Sequence, residues 1–280
     1  MTGVWSAAAA SPIEGVTAMP YAEVNGQRLY YEDSGSGDPI IFSHGFLMDH
    51  TMFDAQVAAL SGNWRCIRWD ERGHGRTETS SAAFTYWDSA ADLFGLLDHL
   101  GIERAVLAGM SQGGFLSLRA TLTAPERVRA LVLMDSQPGV EDPEKVAAYN
   151  QLLDGWTAVG MTDQLAEIVA AIIIGPGFAD TPAWQQKWRD LDTTTVRQTY
   201  TTLVSRENDV TPRLAEITAP TLVVHGSNDA SIELSIAQKY AAELPNAELV
   251  VVEGGGHSSN MTHADQVNPA LEQFLGSLNS

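Results

Sequence analysis

One short stretch of the chain has the residue types and the spacing of a nucleophile site. In GMSQGGF, residues 109–115, Ser111 lies between Gly109 and Gly113 and follows the apolar run AVLA. A sharp turn from a strand into a helix would raise the serine hydroxyl above the sheet and aim N–H groups at developing negative charge. Glycine is required at both flanks because a side chain there would clash. We therefore predict Ser111 as a nucleophile; a serine that only caps a helix also fits so short a motif.

A serine nucleophile needs a base, and the base needs an acid that orients it. Among seven histidines, His257 follows the apolar run ELVVVE through three glycines, so its ring could reach over Ser111. Two aspartates also follow apolar runs. Asp229, in VVHGSNDA, precedes His257 by about one helix plus one strand, which would bring the two residues together on adjacent strands. We predict Asp229 as the acid and keep Asp135, in LVLMDS, as the alternative.

The other histidines and the glycine-rich stretches indicate no further chemistry. His44 is predicted to shape a loop, and His50, His99 and His263 have the pattern of surface or helical residues. No two histidines have the i, i+4 spacing of a helical zinc site, and a CxxC motif is absent. The glycine-rich stretches lack the phosphate-binding patterns of nucleotide sites. We expect no metal and no cofactor.

Strand-like and helix-like runs alternate along the chain. The runs RLYYED, DPIIFS, RCIRWD, ERAVLAG, RALVLMD, APTLVVHG and AELVVVE predict strands, and the first two are expected to pair through the turn SGSG. Thr85 and Asp88 predict a capped helix that Gly101 ends, and Pro125 marks the end of another. Pro269 is an unusual residue within the last predicted helix. The alternation indicates an α/β fold with a mostly parallel sheet covered by helices on both faces.

The alternation stops in one long interval. Residues from about 137 to about 215 contain helical runs and the tryptophan-rich PAWQQKWRD but no convincing strand. We therefore predict one α/β core formed by residues 21–136 and 213–280, with a helical cap inserted at 137–212. Residues 1–20 are predicted to be a flexible tail.

Composition narrows the class of protein. The chain has 280 residues, of which 44% are hydrophobic and 18% charged, as in globular proteins, and its formal net charge is −19. So acidic a surface disfavours nucleic acid, anionic membranes and anionic substrates. Cys66 is the single cysteine and is predicted to be a small buried strand residue. Neither a membrane helix nor a signal peptide is indicated, so a cytoplasmic location is expected.

Five motifs in order resemble the α/β-hydrolase superfamily, and specifically its capped serine hydrolases. They are SHGFL, DERGHGRT, GMSQGG, GSND and GGGH. The resemblance implies an oxyanion hole formed by the backbone N–H groups of Phe46 and Gln112, and an acyl-enzyme mechanism. In DERGHGRT, Thr77 takes the place where the family pattern has serine. A proline, which many relatives carry soon after the acid, is missing after Asp229. Serine at position 111, rather than aspartate, argues against haloalkane dehalogenases and epoxide hydrolases of this fold.

The substrate prediction rests on residues beside the motifs. Candidate pocket residues are Leu47, Met48, Met110 and Met261 near the motifs and Trp156 and Trp184 in the cap, although ordinary packing would also explain them. We predict a small, neutral, fairly apolar ester or lactone. The alternatives are a carbon–carbon bond hydrolase, a cofactor-free perhydrolase, an acyl-homoserine lactonase, and a non-catalytic ligand receptor that retains the triad.

Overall fold

The computed structural model describes residues 21–78, 82–204 and 209–278, so the predicted tail at 1–20 lies outside the described residues. One eight-stranded sheet forms its centre, with the strand order β1-β2-β4-β3-β5-β6-β7-β8. The strands are β1 (Tyr21–Val24), β2 (Gln27–Ser34), β3 (Asp38–Ser43), β4 (Trp64–Trp69), β5 (Ala105–Met110), β6 (Val128–Met134), β7 (Thr221–Gly226) and β8 (Ala247–Val252).

The sheet is mostly parallel. Strand β2 is antiparallel to both β1 and β4, whereas β4, β3, β5, β6, β7 and β8 run parallel. The mostly parallel sheet predicted from the sequence is confirmed. The carboxyl ends of β3, β5, β6, β7 and β8 therefore meet at one edge, where ligands bind in open α/β sheets.

The predicted pairing of RLYYED (β2) with DPIIFS (β3) through SGSG is wrong. Strand β4 lies between β2 and β3, with Tyr31 of β2 opposite Trp69 and Ile41 of β3 opposite Ile67. Gly35 in the connection has φ +81°, and a Cβ there would collide with backbone carbonyl groups at the start of β4. The connection thus passes across the chain that enters β4 instead of forming a hairpin turn. It places the apolar β3 in the sheet interior, where both of its faces are covered.

Helices cover both faces of the sheet. They are α1 (Asp54–Leu60), α2 (Tyr86–His99), α3 (Gln112–Thr123), α4 (Pro143–Val159), α5 (Asp163–Ile173), α6 (Thr181–Arg189), α7 (Thr193–Val204), α8 (Leu234–Glu243), α9 (Ser259–Thr262) and α10 (Ala264–Ser277). In β3, Ile41 belongs to the apolar cluster that includes residues of α2, α3 and α8, whereas Ile40 and Phe42 belong to the cluster that includes residues of α1 and α10. This two-sided burial explains why the strand sequences are apolar without alternation.

Two local sequence predictions are confirmed. Thr85 caps α2 in a capping box with Asp88, whose carboxylate accepts a 2.7 Å hydrogen bond from the Thr85 N–H. Cys66 is fully buried in β4, where burial raises the pKa of its thiol to about 12. Pro269 lies inside α10, which continues through it. No helix in the described ranges has the length and apolar character needed to cross a membrane.

Four helices, α4 to α7, occupy the interval that the sequence predicts as a cap. In this interval, α4 packs against α7 and α5 against α6. The indole N–H of Trp188 in α6 donates a 2.9 Å hydrogen bond to the Leu47 carbonyl, in the loop after β3. Lys187 pairs with Asp49 at 2.7 Å in the same loop region. These contacts fasten α6 to the carboxyl edge of the sheet; the boundaries at 137 and 212 stay a prediction.

Candidate active site

Ser111 lies at the carboxyl end of β5, directly before α3. Its φ of 49° and ψ of −110° are rare for a residue other than glycine. The Ser111 N–H donates to the Met134 carbonyl at 2.8 Å, and its carbonyl accepts from the Phe115 N–H at 3.0 Å and the Ser136 hydroxyl at 2.7 Å. These bonds hold a strained conformation of the kind that concentrates at functional sites.

The two glycines around Ser111 are required by close backbone approach. A Cβ on Gly109 would collide with the backbone of Gly113, and a Cβ on Gly113 would collide with the Ser43 carbonyl of β3. Both positions have backbone angles that other residues adopt, so space and not φ excludes a side chain. The strand–turn–helix arrangement expected from GMSQG is present.

The structure brings together the three residues that the sequence proposes as a catalytic set. His257 Nε2 lies 2.9 Å from Ser111 Oγ, and His257 Nδ1 lies 2.8 Å from Asp229 Oδ2. Because a carboxylate only accepts, Nδ1 carries the proton and Nε2 is free to accept from the serine hydroxyl. This is the geometry in which an imidazole can take a proton from a serine.

The hydrogen bonds of Asp229 favour its ionised form beside the imidazole. Its Oδ1 accepts hydrogen bonds from the N–H groups of Ser231 (2.8 Å) and Ile232 (2.9 Å), which leaves Oδ2 for His257. Burial alone would raise the pKa of Asp229, but His257 and the Ile232 N–H outweigh it and lower that pKa below 3.8. Burial likewise opposes the charged imidazole, but Asp229 raises the pKa of His257 above 6.5.

The alternative acid, Asp135, has other partners. Its Oδ1 accepts from the Gly226 N–H at 2.8 Å, and its Oδ2 accepts from the hydroxyl of Ser259 at 2.6 Å and its N–H at 3.1 Å. Asp135 is fully buried, and burial raises its pKa to about 6. The structure therefore places Asp229, and not Asp135, in hydrogen-bond contact with His257.

The residues that carry the predicted oxyanion donors lie beside the same cavity as Ser111 and His257. Phe46 and Gln112 both line this cavity. Within the described ranges, no protein group accepts a hydrogen bond from the backbone N–H of either residue. Leu47, next to Phe46, has φ +63° and is held through its carbonyl by the Trp188 indole. The two N–H groups are thus available to a ligand, which is what an oxyanion hole requires.

A cavity of about 130 Å³ opens above Ser111. Four of the six predicted pocket residues line it, namely Leu47, Met48, Met110 and Trp156. Trp184 and Met261 lie outside its lining, which corrects those two predictions. Trp184 is buried in the apolar cluster under Lys187, whose Nζ lies 4.0 Å from the indole ring centre, and Met261 packs against the same cluster.

Sequence reasoning missed much of the apolar lining, which α4, α5 and α7 supply. These residues are Tyr149, Leu152, Leu153, Leu165, Val169, Ile172, Ile173, Val196 and Tyr200. Helical spacing could have indicated some of these residues, because Tyr149, Leu153 and Trp156 recur at i, i+4 and i+7 on one face of α4. The periodicity alone does not tell which helical face turns toward the sheet.

The lining of the cavity contains one carboxylate residue, Glu141, and no lysine or arginine among the described residues. Glu141 accepts a 2.8 Å hydrogen bond from the Gln137 side chain. The cavity is therefore apolar with a negative side, and it offers no cation to a carboxylate or phosphate ligand.

Two buried groups of acidic residues and histidine have ligand atoms close enough to surround a cation. One is Asp135, His225 and Asp229, and the other is Asp49, His50 and Asp70. In the first group the carboxylate oxygens already accept hydrogen bonds from backbone N–H groups, Ser259 and His257. In the second, Asp70 Oδ1 accepts 2.8 Å hydrogen bonds from the N–H and the Nδ1 of His50. Hydrogen bonds within the protein engage the carboxylates of both groups, and we assign a metal to neither.

His50 belongs to a helix, as one of the two expectations had it, but it does not lie on the surface. It lies in a short 3₁₀ helix, His50–Phe53, and is only 3% exposed. Burial would lower its pKa, but Asp70 and Glu32 outweigh burial and raise the pKa of His50 to about 9. No local pattern could indicate this environment, because both partners are distant in the chain.

Comparisons with known proteins agree with this fold. A family model described as the alpha/beta hydrolase fold matches residues 38–264. The non-heme haloperoxidase of Rhodococcus erythropolis is 30% identical over 277 residues, which cover 92% of this chain and 100% of that protein. The enol-lactonase from Burkholderia xenovorans LB400 superposes with a TM-score of 0.83 at 26% identity, covering 92% of this chain and 100% of that chain. A thermophilic esterase from Thermogutta terrifontis gives a TM-score of 0.84 at 25% identity, covering 95% and 100%.

The fold and the comparisons together define the class of protein. The chain belongs to the alpha/beta hydrolase family. It is a hydrolytic enzyme of that fold.

Proposed function

We propose that this protein is a serine hydrolase that cleaves a small, neutral, fairly apolar ester or lactone through an acyl-enzyme. The supporting observation is the continuous hydrogen-bonded chain from Ser111 Oγ through His257 to Asp229, at 2.9 and 2.8 Å, on the wall of an apolar cavity. The esterase and enol-lactonase named among the similar structures support the same reaction type.

In the first half-reaction, Ser111 Oγ attacks the ester carbonyl carbon while its proton moves to His257 Nε2. The carbonyl oxygen takes the negative charge and accepts hydrogen bonds from the Phe46 and Gln112 N–H groups. His257 then gives its proton to the leaving alkoxide oxygen as the C–O bond breaks. Asp229 keeps the imidazole oriented and stabilises its charged form.

In the second half-reaction, water repeats these steps on the acyl-enzyme. His257 takes a proton from the water as the water oxygen attacks the acyl carbon, and returns it to Ser111 Oγ as the acyl bond breaks. The products are a carboxylic acid and, from an ester, an alcohol. From a lactone the single product is a hydroxy acid, because its alcohol oxygen stays attached to the acyl chain.

The cavity supports the substrate class. Its volume of about 130 Å³ is similar to that of an engineered cavity of ~150 Å³ that binds benzene, so it suits a small acyl or aryl group. Carboxylate-bearing substrates, which the carbon–carbon bond hydrolase alternative requires, would meet Glu141 and no cation. An acyl-homoserine lactone is neutral and stays within the proposal. We also propose that the protein is located in the cytoplasm, acts on a small molecule and has no nucleic acid partner.

One observation favours a second candidate. The relative from Rhodococcus erythropolis is named a non-heme haloperoxidase. In a perhydrolase, hydrogen peroxide replaces water in the second half-reaction and releases a peroxycarboxylic acid. The same Ser111, His257 and Asp229 would serve both reactions, although the SHGFLMD loop lacks the proline that often marks cofactor-free perhydrolases.

The test is turnover of short and medium p-nitrophenyl esters and a panel of lactones, beside Ser111→Ala. The proposal expects wild type to hydrolyse at least one substrate and the variant to hydrolyse none above its blank. Added hydrogen peroxide, with peroxycarboxylic acid measured directly, decides whether perhydrolysis competes.

Three further outcomes would change the assignment. Labelling of wild type by a fluorophosphonate without turnover of any ester or lactone would keep the nucleophile and reject the substrate class. Tight ligand binding with very slow product release would indicate the receptor alternative. Turnover by Ser111→Ala equal to that of wild type would reject the serine mechanism.

A further inference from the structure

A buried carboxyl group lies beside the residue that carries one proposed oxyanion donor. Glu71 follows β4 in the DERGHG loop and is 1% exposed. The side-chain amide of Gln112 donates a 2.7 Å hydrogen bond from Nε2 to Glu71 Oε2. Since Gln112 directly follows Ser111, this bond ties the loop after β4 to the N-terminus of α3.

Two oxygen atoms in this contact have no partner. Oε1 of Glu71 and Oε1 of Gln112 are both buried and accept no hydrogen bond from the described residues. A carboxylate and an amide placed side by side can form only the N–H to oxygen bond, because neither oxygen carries a proton. A carboxylic acid supplies the missing donor. Its O–H can donate to the amide oxygen, which converts two unsatisfied acceptors into one hydrogen bond.

The two nearby histidines do not supply a positive charge. The Glu71 N–H donates to His44 Nε2 at 3.0 Å, while His44 Nδ1 faces the Gly45 carbonyl at 2.8 Å and must be the protonated nitrogen. His44 is therefore in its neutral tautomer. His74 donates from Nδ1 to the Arg72 carbonyl at 2.9 Å, and burial lowers the pKa of His74 to about 3, so it is also neutral.

The remaining charged neighbours also favour the protonated acid. Arg72 is engaged by Asp92, and across the described ranges no lysine or arginine forms an ion pair with Glu71. Burial raises the pKa of Glu71 above 4.5, and it outweighs the Gln112 hydrogen bond and the effect that a charged His44 would have. The charges of Asp92 and Asp70 add to this rise. An ionised carboxylate here would be buried without a counter-charge, which is strongly unfavourable.

We propose that Glu71 is held as a neutral carboxylic acid whose O–H donates a hydrogen bond to Gln112 Oε1, and that this acid–amide pair positions the backbone N–H of Gln112 for the oxyanion. Glu71 is thus a positioning residue, which acts through Gln112 and does not touch substrate. The role in positioning rests on the proposed serine hydrolase function, whereas the protonation state of Glu71 does not.

The proton has a consequence for the reaction. A negative charge on Glu71 would repel the oxyanion that forms beside Gln112, and would break the O–H hydrogen bond that orients the amide. At the separation of neighbouring side chains, such repulsion lowers the rate on the order of tenfold. Activity is therefore highest with Glu71 in its acid form and His257 in its neutral form. The value of kcat/KM rises with pH as His257 loses its proton, and falls on the order of tenfold, to a lower plateau, as Glu71 loses its own.

Infrared difference spectroscopy tests the protonation state without any substrate. The full-length wild type and Glu71→Gln are compared at neutral pH, above the value of about 6 to which burial raises the pKa of Asp135. The wild type is expected to have a carbonyl band of a protonated carboxyl group that Glu71→Gln lacks. Asp92→Asn is the matched control, because Asp92 is fully buried but paired with Arg72 and should contribute no such band.

Kinetics test the positioning role. Glu71→Ala is expected to lower kcat on the order of tenfold with little change in KM, less than the ~10²–10³ loss typical of a removed oxyanion donor. Glu71→Gln restores part of that loss, because its amide can donate to Gln112 Oε1 and accept from Gln112 Nε2. It also abolishes the alkaline fall in kcat/KM, since an amide does not ionise in this range. Circular dichroism confirms that each variant is folded.

Two results overturn the proposal. Absence of the protonated-carboxyl band in folded wild type, or its persistence in Glu71→Gln, shows that Glu71 is ionised. An alkaline limb unchanged in Glu71→Gln shows that another group titrates there. If wild type hydrolyses no substrate, the serine hydrolase proposal fails on its own, and the infrared result still decides the state of Glu71.

Discussion

Replacement of Asp229 by asparagine gives the sharpest test of the proposed catalytic set. The change removes one charge and keeps the side chain's shape. Two orientations of the new amide are possible. If its oxygen faces His257, its NH₂ group faces the N–H groups of Ser231 and Ile232, which now lie 2.8 and 2.9 Å from Oδ1, and two buried donors lose their acceptor.

The opposite orientation is therefore favoured, since each unmade buried hydrogen bond costs about 1–3 kcal/mol. Its NH₂ group then faces His257 Nδ1, which must become the acceptor. The imidazole proton moves to Nε2, the atom that lies 2.9 Å from Ser111 Oγ. A protonated Nε2 cannot take the serine proton. In a serine protease with the same three residue types, this change of tautomer lowers kcat ~10⁴-fold, or about 5 kcal/mol of transition-state stabilisation.

The assay compares kcat for the best p-nitrophenyl ester in Asp229→Asn and Asp135→Asn, with thermal unfolding of both. Asp135→Asn should weaken bonds to Gly226 and Ser259, which lowers the free energy of unfolding by about 1–3 kcal/mol. We expect it to keep kcat within about tenfold of wild type, because Asp135 makes no hydrogen bond to His257.

The opposite ranking would refute this reasoning. If Asp135→Asn lost activity ~10³-fold or more while Asp229→Asn stayed within about tenfold of wild type, Asp135 would be the orienting acid. Loss of both by the same large factor, with both variants folded, would mean that the two carboxylates act as one unit.

Three further predictions concern the turn, the cavity and stability. Gly113→Ala should lower the free energy of unfolding by about 3 kcal/mol, because its Cβ would collide with the Ser43 carbonyl. The control Gly155→Ala, in open space on α4, should raise the free energy of unfolding by up to ~1 kcal/mol. Equal shifts of the two variants in chemical denaturation would contradict this prediction. Glu141→Gln should raise kcat/KM for a carboxylate-bearing ester by about two- to fivefold relative to a neutral isostere, and an unchanged ratio would mean that Glu141 does not select against anions. The charged His50 is favoured in the folded state, so its stabilisation is complete below its ordinary pKa of 6.5 and is lost as pH rises through about 9. His50→Gln should flatten the fall in stability over that window, and a slope equal to that of wild type would reject the assignment.

The parts of the fold that were predictable depend on local patterns. Runs such as AVLAG and TLVVHG identify buried parallel strands, and the Thr85 capping box fixes the start of α2, because both signals lie within a few neighbouring residues. The order of strands is a different kind of property. The SGSG connection is compatible with a hairpin or with a crossing, and only the burial of both faces of β3 decides between them.

In the candidate site, too, local patterns were predictable and contacts between distant parts of the chain were not. The spacing of GMSQG and the order of Ser111, Asp229 and His257 made the central set predictable, since each residue follows its own strand. The cavity wall was not predictable in the same way. Met261 was chosen because it lies beside a motif, and Trp184 because it belongs to the predicted cap. Helix α6 instead buries Trp184 in an apolar cluster beneath Lys187. The contact between Glu71 and Gln112 joins residues 41 positions apart and exists only because β4, β3 and β5 are neighbours.

Backbone strain gives an independent indication of the site. Four residues other than glycine have positive φ in the described ranges, and three of them, Leu47, Ser111 and Asp135, lie around the cavity or its acid network. The fourth, Asn25, precedes Gly26 in the turn between β1 and β2, where such a φ is favourable. Each of the three is held by a bond from another element. The Ser111 N–H donates to Met134, the Asp135 N–H donates to Val224 at 2.9 Å, and the Leu47 carbonyl accepts from Trp188.

These bonds explain why the strained residues keep their conformation. A leucine, a serine and an aspartate at positive φ cost about 1–3 kcal/mol each unless the surrounding structure fixes them. Here the sheet edge and α6 fix all three, and the positions so fixed include the Ser111 hydroxyl and the loop that carries the Phe46 N–H. Backbone strain at these residues lowers the stability of the fold. Its concentration around one cavity therefore indicates that the positions of the atoms there serve a function. Local propensity could not have predicted it, because propensity favours the relaxed conformation at each of these residues.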